Sequence, residues 1–186
     1  MCKTFGKEAA ETEDNILIRR IKNGDKAAFE QLVNKYYRNI FSYCYRRTGD
    51  EDTAADLTQD IFLKLIASIY NYRFSGKFSN FIFTIAVNTC NDYFRKTIPT
   101  IDAETTEIPD NSDTPIEAAI KKEESRCLQS RLFMLPDNQR EAIILYYYHD
   151  MKAKDISKVT GVPLSTAKSR IKQGLDKLRK LYGKDD

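Results

Sequence analysis

Between Met151 and Lys180 the chain carries two amphipathic patterns, both at helical spacing, separated by Gly161-Val162-Pro163. Ile156 and Val159 give a first helix its apolar face, and Gly161 supplies the left-handed backbone that ends it. Pro163 has the fixed φ of a first helical turn, so a second helix starts there. Along that helix Leu164, Ala167, Ile171, Leu175 and Leu178 recur on one stripe. Ser165, Thr166, Lys168, Ser169, Lys172 and Gln173 fall off the stripe and face outward. The pattern predicts a helix-turn-helix whose second helix has the basic, hydroxyl-rich face that suits a DNA major groove. A Lys/Arg-rich helix is often only a solvated surface, so the remainder of the chain has to decide.

Charge is unevenly distributed. The net charge of the 186 residues is only +3, yet Arg126 to Lys184 holds 13 Lys/Arg against 5 Asp/Glu, and Thr97 to Ser125 holds 2 against 8. A weakly charged head, an acidic connector and a basic tail place nucleic acid at the C-terminal end. Cys2, Cys44, Cys90 and Cys127 are widely separated, with no Cys-x-x-Cys and a single histidine, His149. Neither a zinc site nor a disulfide framework is expected, and the thiols read as free in a reducing cytoplasm. The sequence has no apolar run of membrane-spanning length and no apolar stretch at its N-terminus, which predicts a soluble cytoplasmic protein without membrane insertion.

Helix signals are abundant and strand signals scarce, which predicts an all-α chain. A helix over about Thr12 to Asn23 stops at Gly24, and Asp25 is placed to cap a long second helix with Phe29, Leu32, Val33, Tyr36, Ile40 and Cys44 inward. That helix ends near Gly49. A third, from about Asp52 to Tyr70, is expected to bury Ala55, Ile61, Leu65 and Ile69, and a fourth runs from about Ser79 to Arg95. Residues 12–96 thus form one small helical domain. Residues 97–113, with Pro99 and Pro109 among acidic and small polar side chains, read as a flexible acidic linker. Thr114-Pro115-Ile116-Glu117 has the pattern of a capping box and opens a second helical domain, 114–182, with a break at Leu135-Pro136-Asp137 before the helix-turn-helix.

No catalytic constellation is visible. His149 has no evident nucleophile or acid beside it and is expected at a surface or a helix end, so no catalytic residue, small-molecule substrate or cofactor is assigned. Asp56 and Asp60 lie four residues apart with Gln59 between, putting both carboxylates on one helix face. Without further ligands they do not complete a metal site, so an acidic docking face for a basic partner is expected. The segment after the third helix interleaves Tyr70, Tyr72, Phe74 and Phe78 with Arg73 and Lys77. Aromatic faces beside cations are what binding of unstacked, single-stranded bases requires. Two of the four rings are expected in the core, Phe78 foremost.

Gly24-Asp25-Lys26-Ala27-Ala28-Phe29, Asp56-Leu57-Thr58-Gln59-Asp60-Ile61-Phe62, Ile85-Ala86-Val87-Asn88-Thr89 and Asp92-Tyr93-Phe94-Arg95 resemble conserved region two of bacterial sigma factors. Leu135-Pro136, Gln139-Arg140-Glu141 and Gly161 to Arg170 resemble region four. In order and spacing the chain resembles an extracytoplasmic-function (ECF) member of the sigma-70 family. The resemblance implies a promoter-specificity subunit that binds bacterial core RNA polymerase and promoter DNA, often under an anti-sigma factor. It implies that Asp56, Gln59 and Asp60 grip the polymerase clamp helices. Tyr72 and Arg73, with Lys77 and Asn88, would capture a flipped base of the minus-ten element. On the second helix of the helix-turn-helix, Lys168, Ser169, Arg170 and Gln173 would enter the major groove at the minus-thirty-five element, on the face that Ser165, Thr166 and Lys172 share.

Three positions depart from the family pattern. Phe81 stands where a tryptophan is usual, Thr84 where an arginine is common, and Gln173-Gly174-Leu175 where Arg-Ala-Arg is frequent. Gly174 inside a helix costs about 1 kcal/mol relative to Ala, so the helix is expected to loosen there. Two rivals differ in class: a stand-alone helix-turn-helix regulator, which would bind a palindrome unaided, and a small metal-dependent nuclease built on Asp56 and Asp60. The aromatic segment and the acidic face weigh against the first, and the missing ligand set against the second.

Overall fold

The computed structural model describes residues 12–73, 76–97 and 128–182, and every regular element among them is helical. The acidic stretch 98–113, the capping box at Thr114–Glu117, Phe74, Cys2 and Cys127 lie outside the described residues. The first three helices of the first domain start where a side chain can satisfy their free amides. Thr12 accepts a hydrogen bond from the Asn15 amide and opens α1 (Glu13–Lys22). Asp25 accepts from Ala28 N–H and opens α2 (Lys26–Thr48). The same carboxylate lies 2.8 Å from the Arg20 guanidinium, so one side chain caps α2 and ties it to α1. Asp50 accepts from Thr53 N–H and opens α3 (Glu51–Ile69), and α4 runs over Phe78–Thr97.

Helix α2 is the spine, packing against α1, α3 and α4. Ile18, Leu32, Ile40, Ile61, Leu65, Ile69 and Ile82 are fully buried between them. Removing one such aliphatic side chain typically costs about 2–5 kcal/mol. On α3 the inward alanine is Ala54, while Ala55, expected inward, is exposed. The stripe is set by Ala54, Leu57, Ile61 and Leu65, and a neighbour one position on is rotated by about 100°.

In the second domain residues 128–133 are helical, and the chain breaks at Leu135-Pro136. Helix α5 (Asp137–Ile143) continues into a π-helical turn, Ile144–Tyr148, and then come α6 (Ala153–Thr160) and α7 (Leu164–Tyr182). Gly161 takes φ 68° between α6 and α7 and donates its N–H to the Ser157 carbonyl. The Ser157 hydroxyl donates to the Val162 carbonyl at 2.6 Å, which closes the turn. The Pro163 carbonyl accepts the Ala167 N–H, so proline sits just ahead of the second helix. Ala167, Ile171 and Leu178 are buried as the stripe predicts, whereas Leu164 on the first turn is exposed.

Helix α7 does not loosen at Gly174; it continues to Tyr182. Gly174 is buried against α5, where an added Cβ would lie 2.6 Å from Ile143 Cγ1. The glycine is therefore the contact point that lets α5 and α7 approach, and its propensity cost is exchanged for close packing.

The two domains touch, which the separation of the bundles in sequence did not anticipate. Helix α4 lies along α6, and α2 meets the π-helical turn. Arg47 near the end of α2 is fully buried at this contact. Its guanidinium donates to Asp137 at 2.5 and 3.2 Å and to Asn91 at 2.9 Å, with Glu141 at 3.7 Å. Arg46 stacks over Tyr148, 3.9 Å from the ring centroid. Gly49, in left-handed conformation at φ 75°, also leaves room for the Phe133 ring, which would lie 2.9 Å from a Cβ there. His149 is not a surface residue: its ring lies 5.9 Å from Tyr43 and 4.8 Å from Phe83, centroid to centroid, in the domain contact.

Two measurements follow from this packing. Gly174→Ala is expected to lower the thermal midpoint through overpacking worth about 1–3 kcal/mol, outweighing the gain in helix propensity of about 1 kcal/mol; a raised midpoint would contradict the close approach. Burial, with Arg46 nearby, holds the His149 pKa down to about 4 from an ordinary 6.5. The unfolded chain therefore takes up a proton before the folded one, and folding loses about 1.4 kcal/mol per pH unit as pH falls from 6.5 toward 4. His149→Phe should remove that component, so urea titrations at pH 7.5 and 5.5 should show a smaller acid loss in the variant than in the wild type, by about 1 kcal/mol.

Candidate nucleic-acid and polymerase interfaces

Three separate surfaces carry the residues singled out in the sequence. On α3, Asp56, Gln59 and Asp60 are all exposed, opposite the buried Leu57, Ile61 and Leu65. Leu63 and Ile66, off the buried stripe, are exposed beside them at 59% and 43%. Nearby on α2, Tyr37 stacks on both Phe41 and Phe62 at 6.2 Å. Carboxylates edged by exposed apolar side chains make a protein-docking face. Among the described residues no group of three or more His, Cys, Asp or Glu is placed to hold a metal ion.

Where the chain passes from α3 to α4, a cleft of about 350 Å³ opens between Tyr72, Arg73, Lys77, Asn80 and Phe81, and Lys158 of α6 stands on its rim. Tyr72 serves the fold more than the sequence suggests. Its ring is 8% exposed, packed 5.5 Å from Phe78 and 4.8 Å from Phe81. Its backbone carbonyl accepts from Lys22 Nζ at 2.7 Å, and its hydroxyl donates to the Gly76 carbonyl at 3.3 Å. Among the described rings of this segment Tyr72 and Phe78 are buried, while Tyr70 is exposed. Tyr72 forms a wall of the cleft, and the half-buried Phe81 lines it too. Arg73 and Lys77 are exposed. Asn88 is exposed further along α4 and does not line the cleft.

Asn80, Lys158 and Asp155 were not singled out by the sequence. Asn80 Nδ2 donates to Asp155 Oδ1 at 2.9 Å, and Lys77 Nζ lies 3.5 Å from Asp155 Oδ2. The Asn80 bond and the Lys77 charge hold the Asp155 carboxyl below its usual range. Seventy-five residues separate the hydrogen-bonded pair, beyond the reach of any local pattern.

On α7, Ser165, Lys168, Ser169, Lys172 and Gln173 are exposed, and Thr166 and Arg170 half-buried. The outward face predicted from the stripe is therefore present. Gln173 is pre-oriented: its Nε2 donates to Ser169 Oγ at 3.2 Å and its Oε1 accepts from Gln139 Nε2 at 3.0 Å. Both ends of this amide are engaged within the protein.

The comparisons with known proteins agree with this arrangement. Residues 32–97 match the model of sigma-70 region 2, and residues 125–178 that of sigma-70 region 4. The chain is 31% identical over 174 residues to the ECF RNA polymerase sigma factor SigW of Bacillus subtilis, covering 88% of this chain and 93% of SigW. It is 26% identical over 169 residues to the ECF RNA polymerase sigma-E factor of Escherichia coli, covering 85% and 88%. The fold is shared with CnrH, solved in complex with the cytosolic domain of CnrY (TM-score 0.70, 23% identity, 92% of this chain and 97% of that one). It is also shared with the sigma factor RpoE of Bartonella quintana, solved with the anti-sigma factor NepR (TM-score 0.67, 22% identity, 85% and 98%). Two helical units matching sigma-70 regions 2 and 4, in that order, define a sigma-70-type promoter-recognition protein. The chain belongs to the ECF RNA polymerase sigma factors. It acts in transcription initiation as a binding subunit and not as an enzyme. Among the described residues no helix is long and apolar enough to cross a membrane.

Proposed function

We propose a division of labour among the three surfaces. The α3 face of Asp56, Gln59 and Asp60 binds a basic surface of core polymerase, and Leu63 and Ile66 add apolar contact beside it. The cleft above α4 receives a base of the melted non-template strand at the minus-ten element, with Arg73 and Lys77 placed for its phosphates, Phe81 for its ring and Tyr72 shaping the wall. Asn88, outside the cleft, meets a neighbouring nucleotide. The α7 face of Ser165, Thr166, Lys168, Ser169, Arg170, Lys172 and Gln173 enters the major groove at the minus-thirty-five element. The observation that carries this reading is the cleft itself, a site of base-accommodating size bordered by aromatic rings and cations on the region-2 unit. Base–aromatic stacking contributes about 1–3 kcal/mol per base, so binding a few unstacked bases offsets local melting without chemistry or a cofactor.

Work on the chromosome places the protein in the cytoplasm. An anti-sigma protein, of the kind seen with the structural neighbours, regulates it by covering the α3 face. Because Gln173 is held by Ser169 and Gln139, its contribution to base reading is directional, and the exposed Lys168 and Ser169 lead the contact with DNA.

Asp60→Lys reverses charge on an exposed position and leaves the core intact. Its affinity for core polymerase is expected to fall at least tenfold, with an unchanged circular-dichroism melt and correspondingly lower run-off transcription. Core affinity equal to wild type would remove α3 from the polymerase interface.

A further inference from the structure

We propose that the free chain docks on itself in a promoter-refractory state, with Asp155 of α6 occupying the anion site of the cleft that receives the melted strand. This rests on the assignment of that cleft to the minus-ten element. The Asp155 carboxylate accepts from Asn80 Nδ2 at 2.9 Å and pairs with Lys77 Nζ at 3.5 Å, both groups of the cleft wall. A carboxylate presents anionic acceptor oxygens as a nucleic-acid phosphate does, so Asp155 competes for the same donors and repels a phosphate brought beside it. Lys158, one turn further along α6, closes the rim from the same side. A phosphate approaching Asn80 and Lys77 is therefore opposed by Asp155 for as long as α6 stays against α4.

What holds α6 in place lies elsewhere in the contact. Arg47 is fully buried, with Asp137 and Glu141 of α5 on one side and Asn91 of α4 on the other. Gln129 Nε2 donates to the Tyr45 and Arg46 carbonyls at the end of α2. The His149 ring lies against Tyr43 and Phe83. A buried guanidinium that lost Asp137 and Glu141 by partial separation would stay desolvated and unpaired, so the domains part as a unit, with solvent reaching Arg47, or not at all. A partner that binds the parted form better than the docked one shifts the balance and uncovers the cleft. Docking and strand binding are thus two uses of one set of donors.

The test uses the full chain without polymerase. Wild type, Asp155→Asn and Asp155→Lys are compared by small-angle X-ray scattering and by fluorescence anisotropy. The probe is a labelled single-stranded oligonucleotide carrying the non-template minus-ten segment of a promoter that the wild-type holoenzyme transcribes, with a scrambled strand as control. Asp155→Lys is expected to enlarge the radius of gyration and to bind the minus-ten strand at least fivefold tighter, relative to the scrambled strand, than wild type does. Asp155→Asn, which keeps an acceptor for Asn80 but loses the charge pair, should fall between. A variant that opens without gaining preference for the minus-ten strand overturns the masking, and so does one that neither opens nor gains. If the lysine variant fails to fold by circular dichroism, the asparagine variant decides alone, on a twofold or larger gain against none. Failure of the underlying site assignment is a different result: transcription by the wild-type holoenzyme that is indifferent to substitutions in the minus-ten segment.

Discussion

The buried ion pair at Arg47 organises the molecule as a whole. Burial works against this guanidinium's charge, but Tyr43, Asp137 and Glu141 outweigh it, and its pKa is raised above the ordinary arginine value. Asp137, half exposed and held below the usual carboxylate range by the Arg47 and Arg140 guanidinium groups, opens α5, so the end of α2 and the start of α5 are joined through one bidentate contact. Asn91 anchors the same guanidinium to α4, and the ring of Phe94 lies under it at 5.0 Å. Pairs of this kind add little net stability, because desolvation offsets most of the attraction. They exact a geometry, since a guanidinium left buried without Asp137 and Glu141 would be costly. The orientation of the whole second domain follows, including α6 on the cleft and the outward aim of α7.

Local chemistry was largely legible in the sequence. Asp25 caps α2 as expected, because a short polar side chain ahead of an amphipathic run has few better uses, and Thr12 and Asp50 do the same for α1 and α3. Gly49 and Gly161 end helices in left-handed conformation, as glycines after the last periodic residue do. The outward face of α7 followed from the stripe alone. Where the sequence misled, the cause was a neighbour distant along the chain. His149 does end a helical turn, but nothing local tells that Tyr43 and Phe83 close over its ring, and Gly174 reads as a weak spot until Ile143 fills the space beside it. Asn80 and Lys158 belong to no motif and acquire a role only when α4 and α6 are brought side by side.

The aromatic segment illustrates a subtler limit. Of four rings interleaved with cations two were expected in the core, Phe78 foremost, and Tyr72 and Phe78 are the ones found joining α1, α2 and α4. Tyr36 donates its hydroxyl to Asp14 at 2.7 Å and meets the Phe78 ring edge-on at 5.4 Å, and Tyr72 packs on Phe78 in turn. A segment that must hold a rigid cleft needs such a foundation, because a base site made only of exposed rings would have to be ordered anew at each binding event. Composition alone cannot divide the rings between foundation and platform; the packing of α1 against α2 does.

Charge placement completes the picture. The basic tail contains five acids, Asp137, Glu141, Asp150, Asp155 and Asp176. Three of them, Asp137, Glu141 and Asp155, face groups of the first domain. Asp176 pairs within α7 with Arg179, more than a turn beyond Ser169 and Arg170. Acid is thereby drawn mostly to the side that meets domain one, and the segment from Leu164 to Gly174 of α7, with Lys168, Arg170 and Lys172, contains no carboxylate of its own. Had the same five acids been spread over both faces, their repulsion toward phosphate would weaken the groove contact, and the docking contact would lose its partners for Arg47 and Lys77. The segregation lets one small domain present an anion to its neighbour through α6 and a cationic surface outward through α7, the surface proposed above for the major groove.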